Sequence, residues 1–238
     1  MRQNSKILVW DAPTRVFHWM LAFCFAGAYV TSESDRWLGV HLTLGYTMVG
    51  LVAFRLVWGL VGTRYARFSS FIRGPAAVTR YAASMIGGLS EKHVGHNPLG
   101  AVSIVLMLAL TLAVVYTGWV TINGGAHLLK ELHEGAAGLM LAIVVVHVAA
   151  VLLSSLMQGE NLPRSMLSGM KEGRNSDGIR WSWWPLAVVI VACVLGFWFL
   201  QAQSPTPIGA GGGEGDWQQG GGKHNSKHNR QRFGGDDD

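Results

Sequence analysis

Charge is what this chain has least of. Only 14% of its 238 residues are charged, while 50% are hydrophobic. Ordinary soluble domains carry about a quarter charged residues, so the surface of a soluble enzyme is excluded. Cysteine is nearly absent as well. Cys24 and Cys193 both fall inside apolar runs, which excludes a disulfide framework. A cleavable leader is not expected either. The start, MRQNSKILVWDAPTRVFHW, has basic residues but delays its long apolar run, and no small-residue cleavage pattern closes that run.

What the chain does have is long apolar runs, at about Val16–Thr31, Leu38–Leu60, Leu99–Val120, Leu132–Met157 and Ser182–Leu200. All but the first reach the roughly 20 residues needed to cross about 30 Å of hydrocarbon. Lipid offers the backbone no hydrogen-bond partner, so these runs predict helices. The expectation is an all-α integral membrane bundle of about five transmembrane helices. Lys and Arg alternate sides: Arg2, Lys6 and Arg15 precede the first run, Arg64, Arg67, Arg73, Arg80 and Lys92 follow the second, and Arg164, Lys171, Arg174 and Arg180 follow the fourth. The other two connections carry only Arg36 and Lys130. The positive-inside rule then predicts a cytoplasmic N-terminus and a periplasmic C-terminal tail. The formal net charge of +5 mainly records that topology and does not point to nucleic acid.

Inside the fourth run, HEGAAGLMLAIVVVH holds His133 and His147 fourteen positions apart. Fourteen helical steps return to within about 40° of the starting face and climb roughly 21 Å. One helix thus carries two imidazoles on one face, near opposite edges of an apolar slab. His18 opens the first run and His41 the second, at opposite edges under the predicted topology. Pairing by depth joins His41 with His133 and His18 with His147. Each pair could supply both axial positions of one haem iron, as suits electron transfer. With no C-x-x-C-H motif, such haems would be noncovalent, b-type rather than c-type.

Other residues have rival explanations. Arg55 lies fourteen residues after His41, on the same stripe at the cytoplasmic end, where it would pair with a propionate of the inner haem or snorkel to lipid phosphates. Arg15 has the same two readings. Gly45, Gly50, Gly135 and Gly138 would make room for flat macrocycles or simply let helices pack closely. His93 and His96 fall in a polar connection outside the slab, and His127 in the outer connection, as a distant substitute for His133. His133-Glu134 begins like H-E-x-x-H, but position 137 is Ala, so that zinc motif fails. A haem-free metal-binding membrane protein is therefore the least favoured reading. Glu131, Glu134 and Asp11 are candidate proton acceptors near the two surfaces.

The segments WDAPTRVFHW, HLTLGY, FRLVWGLVGTRYARFSSF, GHNPLGA and the HE…H helix resemble the bacterial cytochrome b561 family, including the b-type cytochrome subunits of nickel–iron hydrogenases. The resemblance runs from about Val9 to Leu153. It implies a di-haem membrane cytochrome that exchanges electrons between the quinone pool and a redox partner, such as a periplasmic c-type cytochrome or a hydrogenase, in the bacterial inner membrane. The implied ligands fall on His18, His41, His133 and His147, the set that spacing also selects. Some members of the resembled family are superoxide oxidases that reduce ubiquinone, the alternative function here. A second copy of the chain is a candidate partner.

Three segments are expected: a haem-binding four-helix core over 1–160, a cytoplasmic connection with a fifth helix over 161–202, and a tail over 203–238. The tail, GAGGGEGDWQQGGG followed by KHNSKHNRQRFGGDDD, is too polar and glycine-rich to bury a core. Its Lys223, Lys227, Arg230 and Arg232 would steer an acidic periplasmic cytochrome, whereas His224 and His228 are a weak metal pair.

Overall fold

The fold was analysed in a computed structural model that describes residues 5–72, 74–87 and 93–204. The tail beyond Ser204, with its basic residues and His224 and His228, lies outside the described residues, as do Arg2, Arg73 and Lys92.

Side-chain caps set the starts of three helices. Asp11 accepts from Thr14 N at 2.7 Å and opens α1 (Ala12–Val30), with Pro13 in the first turn. A proline there loses no hydrogen bond, because the first-turn N–H groups have no intrahelical partner. A 3-10 turn at Asp35–Trp37 leads into α2 (Leu38–Val61). Two short helices follow, α3 (Phe68–Phe71) and α4 (Pro75–Ile86). Asn97 caps α5 (Pro98–Ile122), its side chain accepting from Gly100 N at 2.6 Å. The long α6 (His127–Gln158) ends at Gly159, whose φ of 65° is the left-handed stop that glycine supplies without strain. Asn161 caps α7 (Leu162–Ser168), and α8 (Trp184–Gln203) closes the described chain.

Among the described residues, four helices are long and apolar enough to cross a membrane: α2 with its leading 3-10 turn, α5, α6 and α8. At 19 residues, with Thr14, Arg15 and His18 among them, α1 is the more polar fifth helix of the bundle. It runs antiparallel to α2: His41 Nδ1 lies 2.8 Å from Ala28 O at one end, and Arg55 lies over the Phe17 ring at the other. The fifth run of the sequence packs on this pair as α8, through Trp198 Nε1 to Thr47 Oγ1 at 2.9 Å and a Trp198–Phe23 ring contact. A core of Phe17, Cys24, Met48, Leu108, Met140 and Ile190 joins α1, α2, α5, α6 and α8. Helix hydroxyls are satisfied locally, Thr43, Thr47, Thr111 and Thr121 each donating to a carbonyl one turn back, which suits a medium without water.

At the basic end, where α1 and α8 begin and α2 and α6 finish, the chain builds a cap that the apolar runs do not announce. β1 (Ser5–Leu8) pairs antiparallel with β2 (Met170–Gly173). The seam continues through Gly169 O, which accepts from Val9 N at 2.8 Å and Trp10 N at 3.1 Å. Gly169 sits at φ 82°, and a Cβ there would lie 2.7 Å from Trp10 O. Only glycine permits both the turn and the approach. Lys171, its side chain 5% exposed, reaches Glu160 at 3.5 Å and donates to His93 O at 2.8 Å.

Candidate haem centres

α5 and α6 pack antiparallel, and their contact fixes one histidine. His133 Nδ1 is 2.8 Å from Val114 O, and Thr117 Oγ1 is 3.4 Å from the same nitrogen. The ring lies against Gly118, where a Cβ would come within 2.8 Å of His133 Cε1. Gly118 thus clears the space the imidazole occupies, a role that nothing in its sequence neighbourhood announces.

Across the bundle, His41 is held the same way. Its Nδ1 is 2.8 Å from Ala28 O. A carbonyl can only accept, so in the neutral rings both Nδ1 atoms carry the proton and both Nε2 lone pairs are left for a metal. Metal-ligating histidines are commonly oriented by such a second hydrogen bond. The His41 and His133 ring centroids are 6.2 Å apart, with planes at 78°. Two imidazole nitrogens each about 2 Å from one ion, with ring centres roughly an ångström further back, would put the centroids about 6 Å apart. The residues at this end therefore fit a bis-histidine haem.

His18 and His147 come within electrostatic reach of each other at the basic end. His18 differs from the other pair in one respect: its buried Nδ1 has no hydrogen-bond partner among the described residues. At the same end, Arg55 is 2% exposed, donates to Ala66 O at 2.9 Å, and lies over Phe17 at 6.0 Å and Phe68 at 4.9 Å. That burial removes the snorkelling explanation. Its counter-charge is Asp11, itself 1% exposed. The Asp11 carboxylate is taken up by Thr14 N, Trp58 Nε1 at 3.3 Å and Thr63 Oγ1, so it ties the start of α1 to the end of α2 and the turn after it. Arg15 donates to Leu167 O at 2.6 Å, which fastens α1 to α7.

One sequence expectation needs correcting in position. His127 is not in a loop but is the first residue of α6, exposed and 3.4 Å from Glu131. Glu134 is exposed beside Lys130 at 3.8 Å. Of the four glycines, Gly45 lies one turn from His41 with no atom within 4 Å of a Cβ, whereas Gly50, Gly135 and Gly138 are exposed and pack against no neighbouring helix. His96 is drawn onto the bundle end, its ring between Trp10 and Phe71 at centroid distances of 4.5 and 4.6 Å. Burial, then the charges of Arg55 and Lys171, push its pKa down to about 3, so this ring is neutral.

A bundle of long apolar helices that sets the His41 ring against the His133 ring is a frame suited to a membrane cytochrome. The chain belongs to the prokaryotic cytochrome b561 family, whose description matches residues 9–169. It is 22% identical over 218 residues to a probable Ni/Fe-hydrogenase B-type cytochrome subunit of Rhodobacter capsulatus, covering 71% of this chain and 82% of that protein. The corresponding subunit of Rhizobium leguminosarum bv. viciae is 22% identical over 215 residues, covering 70% and 89%. No solved structure matches the chain. It is thus a multi-pass membrane protein that binds b-type haem and transfers electrons.

Proposed function

We propose that the chain holds two b haems, one between His41 and His133 and one between His18 and His147, and carries electrons between the quinone pool and a redox enzyme. The observation that carries this reading is the His41–His133 pair, 6.2 Å between centroids, with each Nδ1 on a backbone carbonyl. Bound haem supplies a one-electron redox centre whose potential follows from its axial ligands, burial and nearby charge. The protein's own residues do the rest. Val114 O and Ala28 O hold the outer imidazoles in register, Gly118 clears the ring, and the buried Arg55 offers a cation to the inner site.

In this reading the basic end faces the cytoplasm, because Lys and Arg near short connections are retained there. The membrane is then the bacterial inner membrane. The relatives' names, hydrogenase cytochrome subunits, make a hydrogenase-type enzyme the first candidate partner, with a c-type cytochrome next. Superoxide oxidation is less favoured, because a cationic funnel would be needed at the far end, where Lys130 is paired with Glu134 and Arg36 lies over Trp37.

Single variants test the pairing. His41→Ala or His133→Ala should halve the haem per chain and remove one spectral component, and His18→Ala or His147→Ala should remove the other. Equal loss of both components from all four variants would contradict it.

A further inference from the structure

At the basic end, two buried imidazole nitrogens have no hydrogen-bond partner among the described residues, His18 Nδ1 and His96 Nδ1. A closed-off polar atom without a partner costs free energy, so a native fold keeps one only where something else satisfies it. His18 belongs to the inner histidine pair. His96 has no role in that reading, and its surroundings suggest one.

The His96 ring is held by Trp10 on one side and Phe71 on the other. Phe71 leads through Phe68, at 5.9 Å, to the Arg55 guanidinium, 4.9 Å from the Phe68 ring. Arg55, Lys171, His18 and His147 all lie within electrostatic reach of His96. On its outer side, a cavity of about 270 Å³ lined by Arg64, Tyr65, Ser70, His93 and Arg174 reaches the same ring. The ring is only partly buried, but Nδ1 is fully closed off, so the atoms facing the cavity are others. His96 therefore stands between the inner histidine pair and this cavity, which Asp177 also lines, and keeps a ring nitrogen that is closed off from solvent and has no partner among the described residues.

We propose that His96 is a positioning residue of the inner centre, its Nδ1–H donating, beside the Arg55 cation, to a carboxylate at the edge of the inner haem. The proposal rests on the reading that His18 and His147 hold that haem. A carboxylate fits because a neutral donor and a guanidinium together stabilise one negative charge. Without the donor, that negative charge is less compensated and the ferric state is favoured.

The experiment is a redox titration of the full-length haem-loaded protein in mild detergent, following both haem components, for wild type, His96→Phe and His96→Gln. Phe keeps the flat packing between Trp10 and Phe71 but cannot donate; Gln can donate. The expected result is a fall in the inner midpoint potential for His96→Phe of about tenfold in the reduced-to-oxidised ratio, or about 59 mV for one electron. His96→Gln should stay near wild type, and the outer component should be unmoved in both. An inner potential unchanged in His96→Phe would overturn the proposal, as would equal shifts in both components or in both variants. A wild type that lacks the inner haem would instead overturn the reading it rests on.

Discussion

Gly118 and His133 meet at the contact between α5 and α6, where a Cβ would lie 2.8 Å from Cε1 and 3.0 Å from Nδ1 of the ring. The same Nδ1 is fixed on Val114 O, also of α5, so the ring cannot retreat from α5 without losing that bond. Gly118→Val should therefore remove the outer haem and leave the inner one, read as a halved haem-to-polypeptide ratio with one surviving spectral component. Retention of both haems would show that the ring has room this packing denies. His18, with its bare Nδ1, and His133, with a carbonyl and a hydroxyl nearby, show how differently two histidines of one constellation are oriented. Asp11 makes a related point: a residue that from sequence lies simply near a membrane surface is buried and bonded to its own helix cap, to Trp58 of α2 and to Thr63 in the turn beyond it.

Apolar length was legible, and so the elements that cross the membrane were. The run at Leu38–Leu60 appears as α2 (Leu38–Val61), and that at Leu99–Val120 as α5 (Pro98–Ile122), because composition alone decides where a backbone must satisfy itself. The fourth run extends N-terminally as α6, where polar residues including Lys130 and Glu131 continue the helix beyond the apolar stretch. The basic cap was not legible. β1 and β2 are four residues each and their pairing joins Ser5 to Gly173, so no local pattern announces it. His96 lies in the connection before α5 as its sequence suggests, but its packing was not legible for the same reason, since its neighbours Trp10 and Phe71 come from distant segments. Gly169→Ala tests the cap as an element. Forcing a side chain to φ 82° against Trp10 O should cost about 1–3 kcal/mol and increase amide exchange in β1 and β2, while both haems remain. Unchanged exchange there would mean the seam does not depend on that turn.

At the scale of the whole molecule, Lys and Arg are concentrated at one end of the described bundle and sparse at the other, and this asymmetry carries both topology and chemistry. Arg15, Arg55, Arg64, Lys171 and Arg174 gather where α1 begins, and the far end offers Arg36 and Lys130. Single cysteines introduced at Ser176 and at Ser32 should label from opposite faces of sealed membrane vesicles, Ser176 from the cytoplasmic face. Labelling of both from one face would reverse or break the predicted topology. The central claim is that four histidines from α1, α2 and α6 make two haem sites at different depths. The most direct measurement is haem per polypeptide by pyridine haemochrome on the purified full-length protein, together with reduced-minus-oxidised spectra. Two b haems per chain with a low-spin spectrum is the predicted result. A folded preparation, made with ample haem supply, that carries one haem or none would contradict it.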